Sequence, residues 1–456
     1  MGASSLPRRK RTRRSRSWPW PQERQITWPS AFEEPSSDLW TEMNWTKMKP
    51  QMNRDEHRSV FIRVHLWFHP VLFISLLALA STFAIPEKQS APRWPMFRKH
   101  LLDSGANESA AVADVNKDGR LDIIAGENWY EAPRWKKHRM REIPFISGYI
   151  DDLSNFALDV NDDGYPDVIA SSWFSKKMSW YENPGKGGAG APDALWKEHV
   201  IETGFNYELI LLVDIDGDGR AEEILPNYGN TGEVAWFQRA ASKSQGEWVR
   251  HVVGRVPDVR GLHGIGAGDL NRDGRPDIIT AYGWFEAPDW VFHPDFRLLS
   301  PLAQCSPIYV YDVNQDGRND LVYGAGHHYG VFWLENRAGG WQEHLIDNSW
   351  SQAHAITLAD MDKDGRLDIV TGKRYLAHDT DPGAYEPLGL YWYRSEGDGR
   401  FIKHIIDYGG KAGGGMQIPV LDIDGDGDLD LVAPGKSGLF LFEQVDFERQ
   451  KTHQGP

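Results

Sequence analysis

Between residues 95 and 445 the apolar positions fall in short runs such as AVAD, LDIIAG, YVYD and DLVYG, separated by polar, glycine-rich turns. Runs this short, rich in Val and Ile and closed by Asp, Asn and Gly, predict strands and not helices. Pairs of them flank a nine-residue polar loop, D-x-[DN]-x-D-G-x-x-[DE], that occurs seven times. The copies are DVNKDGRLD from Asp114, DVNDDGYPD from Asp159, DIDGDGRAE from Asp214 and DLNRDGRPD from Asp269, then DVNQDGRND from Asp312, DMDKDGRLD from Asp360 and DIDGDGDLD from Asp422. Successive loops begin 45, 55, 55, 43, 48 and 62 residues apart. A period of that size marks a solenoid, propeller or array.

Two further signatures keep register with the loops. An aromatic run follows each one: NWYEAP (128–133), SWYENP (179–184), AWFQ (235–238), GWFEAP (283–288), FWLEN (332–336), YWYR (391–394) and LFLFE (439–443). Next comes [WF]-x-x-H, ending at His138, His199, His251, His293, His344 and His404. Each unit thus reads as strand, loop, strand, aromatic strand and histidine strand. His100 has the same motif but precedes the first loop, and the last unit ends without a histidine strand. The two ends complete one another, as in a ring that closes to remove its free edges. The pattern predicts an all-β, seven-bladed β-propeller over 95–445, closed by a strand at 97–102, with 446–456 as a tail.

Oxygen-bearing side chains occupy positions 1, 3, 5 and 9 of every loop. They are Asp114, Asn116, Asp118 and Asp122; Asp159, Asn161, Asp163 and Asp167; Asp214, Asp216, Asp218 and Glu222; and Asp269, Asn271, Asp273 and Asp277. The remaining sets are Asp312, Asn314, Asp316 and Asp320; Asp360, Asp362, Asp364 and Asp368; and Asp422, Asp424, Asp426 and Asp430. Ca²⁺ takes about six to eight hard oxygens, and glycine at position 6 permits a sharp turn. An EF-hand loop begins alike but needs its bidentate Glu at position 12 and flanking helices. The metal-free alternative is a set of Asp-Gly hairpin turns. Seven repetitions of four oxygen positions predict up to seven Ca²⁺, one between the first two strands of each blade.

Charge fits that reading. The chain of 456 residues carries −15, yet its first 84 residues hold 13 basic and 7 acidic groups, so the remainder is more acidic still. Acidity gathered in metal loops argues against a nucleic-acid partner. One cysteine, Cys305, leaves no internal disulfide. Residues 71–84, VLFISLLALASTFA, are too short for a membrane span and suit a signal-peptide core, with Thr82 and Ala84 before the cleavage point. Residues 1–70 read as an unpatterned extension from an early start codon. A secreted or periplasmic protein follows, with no membrane span after cleavage.

Seven of the 16 histidines belong to the strand repeat and serve the blades; four more lie at 57, 65, 69 and 453, outside the repeat array. His263, His327, His328, His354 and His378 remain. His263 and His354 each stand six residues before a loop, and the matching positions are Glu108, Leu153, Glu208, Ser306 and Met416. These positions ring the channel mouth opposite the loops. Glu108, Glu208, His263 and His354 therefore form a candidate second metal site for one Zn²⁺ or another divalent ion. His327, His328, Tyr329, Lys373, Arg374, Tyr375 and His378 reach the same face and are candidates to move a proton beside a carbonyl and hold the resulting enolate. Trp129, Trp173, Tyr228, Tyr282 and Trp284 are candidate stacking platforms.

The loops resemble those of the FG-GAP/VCBS repeat family, related to the integrin alpha-chain propeller. That resemblance implies a calcium-stabilised propeller and a carbohydrate or extracellular protein partner. The W-[YF]-E-x-P strands and the leftover histidines are similar to the propeller domain of aldos-2-ulose dehydratases, which implies removal of water from keto-sugars. The expected function is elimination on carbohydrate, as a sugar dehydratase or polysaccharide lyase. The alternative is a non-catalytic carbohydrate- or protein-binding adhesion propeller.

Overall fold

The computed structural model describes residues 94–189, 195–240, 246–300, 302 and 304–445. The extension, the signal-peptide core and the tail lie outside the described residues. Among those described there is no helix, and so none long and apolar enough to cross a membrane.

Seven four-stranded antiparallel sheets form a seven-bladed β-propeller. Blades 1 to 6 are meanders over residues 110–139, 154–203, 207–255, 265–293, 309–351 and 355–408. Blade 7 takes its first three strands from Val420–Leu421, Asp430–Gly435 and Gly438–Gln444, and its fourth from Phe97–Asp103. Phe97 pairs with Gln444 and His100 with Leu441, so the start of the array supplies the outermost strand of its end.

Alternation within the second strands builds the core. Ile123 and Ile124 are both fully buried, the first facing blade 7 and the second facing blade 2. A strand buried on both faces has no polar side, so these runs are continuously apolar. Seven apolar clusters fill the seven interfaces between neighbouring blades, blade 7 against blade 1 included. First strands from all seven blades line an apolar central cavity of about 430 Å³.

The repeat motifs join one blade's parts. His138, His199, His251, His293, His344 and His404 stack on Trp129, Trp180, Trp236, Trp284, Trp333 and Trp392, with ring centroids 4.0–4.5 Å apart. Glu131 spans loop and outer strand, accepting from Asn116 Nδ2 at 3.4 Å and contacting His138 Nε2 at 2.7 Å. Blades 4 and 5 repeat this bridge through Glu286 and Glu335. These histidines are structural for that reason. Packing between blades also buries Trp129, Tyr228 and Trp284, which removes them as stacking platforms.

Candidate functional site

In each loop the position-1 carboxylate accepts the amide of the position-6 glycine at 2.8–3.0 Å. That glycine has φ between 87° and 94° in all seven copies, a left-handed conformation that other side chains resist. In six blades the position-9 Asp is buried; in blade 3 the buried acid in its place is Glu223, next to Glu222. These acids accept the amide of position 2, as Asp122 does from Val115 at 3.1 Å and Glu223 from Ile215 at 3.3 Å. Glu223 thus makes the amide contact that the position-9 Asp makes in the other blades. Glu222 instead contacts Arg239 and Arg220.

The oxygens of positions 1, 3 and 9 converge within 4.8 Å in blades 6 and 7, as do those of positions 1, 3 and 5 in blade 3. Burial raises the position-9 acids, helped by the carboxylates of positions 1, 3 and 5: Asp122, Asp320, Asp368 and Asp430 to about 6, Asp167 and Glu223 to about 7. An oxygen-only, anionic donor set suits a hard divalent cation such as Ca²⁺.

On the opposite face the candidate residues gather at one mouth. Glu208, His263, His327 and His354 place one ligand atom each within 4.8 Å of the others. Blades 4 and 6 supply His263 and His354 from just before their first strands, blade 3 supplies Glu208 from the start of its first strand (Tyr207–Val213), and blade 5 supplies His327 from after its second strand. Nε2 of His263 lies 2.7 Å from Nε2 of His327 and 3.1 Å from Glu208. Nε2 of His354 is 3.9 Å from Glu208, buried and without a hydrogen-bond partner.

The outer nitrogens are anchored. His263 Nδ1 meets the Cys305 carbonyl at 2.8 Å, His327 Nδ1 meets Asp381 at 2.8 Å, and His354 Nδ1 faces the Gln352 carbonyl at 3.5 Å. All three rings therefore turn Nε2 inward, the arrangement of metal-binding imidazoles held by outer partners. Three imidazoles and one carboxylate, with one buried nitrogen unsatisfied, fit Zn²⁺ or a similar transition ion. Burial pushes Glu208 up, but His263, His327 and Arg374 outweigh it and hold the carboxyl at about 2. Burial, then the neighbouring Arg374 charge, holds His354 far below its usual value, so its nitrogen is free to bind. If the cluster holds a metal, Asp381→Asn is expected to weaken metal affinity about 10–100-fold, read by competition with a chelating dye.

Glu108 does not join the cluster. It is fully buried, accepts from Arg374 Nε at 3.0 Å and has Lys436 Nζ 3.7 Å away, so it anchors cations instead. Arg374 reaches to 3.9 Å from Glu208. His378 stacks on His327 at 4.7 Å with Nδ1 3.1 Å from the Tyr149 hydroxyl. His263, His327, Arg374, His378 and Tyr149, with Trp173, Phe174 and Tyr282, line a cavity of about 470 Å³.

The other predicted residues point elsewhere. Lys373 is fully buried, and its ammonium donates to Ser351 Oγ at 2.8 Å and Gly383 O at 2.6 Å, so it braces the 374–388 loop. The Tyr329 hydroxyl donates to Glu386 at 2.5 Å. His328 and Tyr375 are exposed outside the cavity lining. Sequence reasoning missed Asp381, Tyr149 and Lys436. Asp381 stood three residues after His378 in HDTD, whereas Tyr149 sits on a hairpin between blades 1 and 2 (Phe145–Ile146 with Tyr149–Ile150) that no repeat announces.

A family model described as FG-GAP-like repeat matches residues 159–225, 214–280, 312–371 and 379–433. The chain belongs to the FG-GAP-like repeat family. No curated protein matches this FG-GAP propeller. Among solved structures it is similar to an Agrocybe aegerita lectin studied for recognition of non-reducing terminal N-acetylglucosamine, at 17% identity and a TM-score of 0.40, over 69% of this chain and 81% of that one. It is similar also to BBS1N, solved in complex with ARL6DN, at 10% identity and a TM-score of 0.45, over 77% of this chain and 97% of that one.

Proposed function

We propose that this FG-GAP propeller is an exported, calcium-stabilised enzyme that acts on carbohydrate by elimination at the mouth opposite its loops. The observation that carries the reading is the buried Glu208, His263, His327 and His354 cluster, with His354 Nε2 unpartnered, beside an aromatic-walled cavity of about 470 Å³. A divalent transition ion held there would act as a Lewis acid on a substrate carbonyl or hydroxyl oxygen. Arg374 lines the same cavity and would add positive charge where an enolate develops. His378 is placed to take the proton next to the carbonyl, its ring oriented by the stack on His327 and by Tyr149. Trp173, Phe174 and Tyr282 would hold the sugar's apolar faces.

The test is metal analysis of the exported protein together with ultraviolet absorbance over keto-sugars and uronate polysaccharides, because elimination creates a conjugated double bond. About one equivalent of a transition metal beyond calcium, with rising absorbance on one substrate class, is expected. Glycan binding without turnover on any member would favour a non-catalytic binding propeller.

A further inference from the structure

A second cavity of about 420 Å³ adjoins the first and is lined by other residues. One turn divides the two. Trp173 and Phe174 face the histidine cavity, while Ser172 and Ser175 face the second. The Asp151 carboxylate fixes this turn, accepting the amides of Trp173, Phe174 and Ser175 at 2.8, 2.9 and 2.7 Å. The hairpin is shared as well, with Ser147 and Tyr149 on the first side and Ile143 and Pro144 leading into it on the second.

Charge in the second cavity is matched in pairs. Arg141 meets Asp152 at 2.9 Å, both 2% exposed, and Lys177 meets Glu198 at 2.5 Å. Glu142 turns away to Arg139 at 3.2 Å. The Tyr181 hydroxyl is taken by Glu198 at 3.1 Å, so the groups left for a ligand are the hydroxyls of Ser171, Ser175 and Ser179. Ser171 is 2% exposed, and its Oγ has no hydrogen-bond partner. A buried hydroxyl without a partner is costly unless something polar meets it. The volume lies within the usual range of about 300–1,000 Å³ for small-molecule sites.

We infer that this cavity is a subsite for an uncharged polyhydroxylated unit, the sugar adjoining the one at the histidine cluster in a single saccharide chain. The inference rests on the carbohydrate reading above and makes the substrate an oligosaccharide or polysaccharide. A charged unit is disfavoured because no cation or carboxylate in the cavity is left unmatched.

The test is titration calorimetry of the full exported chain, metal-loaded, with neutral saccharides of increasing length. Ser175→Trp fills the cavity from an exposed position, and the Asp151 bonds survive because they go to backbone amides. Ser171→Ala is the milder variant should Ser175→Trp melt early. Wild type is expected to bind longer saccharides about 10-fold or more tightly than the single sugar. Ser175→Trp should erase that gain and leave single-sugar affinity and metal content unchanged, and Ser171→Ala should reduce it. Equal length dependence in wild type and both variants, or no gain with length in wild type, overturns the subsite. Length-dependent binding without turnover on any substrate would sink the catalytic reading and leave the subsite standing.

Discussion

Excess chelator is expected to lower the melting temperature by more than about 10 °C, with calcium restoring it. A ligand that binds only the folded state stabilises it by about 2.7 kcal/mol at a hundredfold excess over its dissociation constant. In a domain of about 350 residues one kcal/mol moves the midpoint by only about 1–2 °C, so about four such loops account for the drop. The pH dependence without metal has a defined sign. Burial pushes Asp122, Asp320, Asp368 and Asp430 up to about 6 and Asp167 and Glu223 up to about 7 in the folded chain, against about 4 when unfolded. The folded state therefore binds more protons across that window, and the chelated protein should gain stability as pH falls from about 7.5 to 5. Calcium removes the effect by taking the protons' place. Calorimetric scans over pH, with and without chelator, check both; a midpoint indifferent to chelator in verified metal-free protein would sink the calcium loops.

If the Glu208, His263, His327 and His354 cluster holds a transition metal as proposed, His354→Ala is expected to release it and to lower turnover by about 10²-fold or more. The melting temperature in calcium should fall to about that of wild type stripped of the mouth metal, because an ion bound only to the folded state stabilises it by mass action. Glu208→Gln should act in the same direction, since it takes away the one carboxylate of the cluster. Lys373→Ala should behave differently. Its ammonium holds Ser351 and Gly383 together inside the protein, so the loss should appear first in melting. Turnover and metal content measured beside melting curves separate the two classes. Wild-type turnover in a His354→Ala protein shown to lack the metal would remove the cluster from the mechanism.

The sequence by itself determined the ring. Loop repeats set the number of blades, and short runs such as LDIIAG, rich in Ile and closed by Gly, read as strands. The closing strand, read as 97–102 and observed as Phe97–Asp103, was legible because an orphan motif at one end matched a missing one at the other. His263, His354 and Glu208 were legible too, since a shared offset from the loop places residues of different blades on one ring. Only the tertiary structure decided which ring members meet. Glu108 has the right offset, but Arg374 and Lys436 from other blades surround it and turn it into a counter-ion. His327 takes the remaining place because Asp381, 54 residues later, anchors its outer nitrogen. Tyr149 crosses from the hairpin between blades 1 and 2 to Ala377 and His378 of blade 6, a contact 228 residues long in sequence. A repeat fixes what every blade must share, because each blade solves the same packing problem. The site is made of side chains in which the blades differ, and their partners are chosen across the ring, where sequence distance carries no signal.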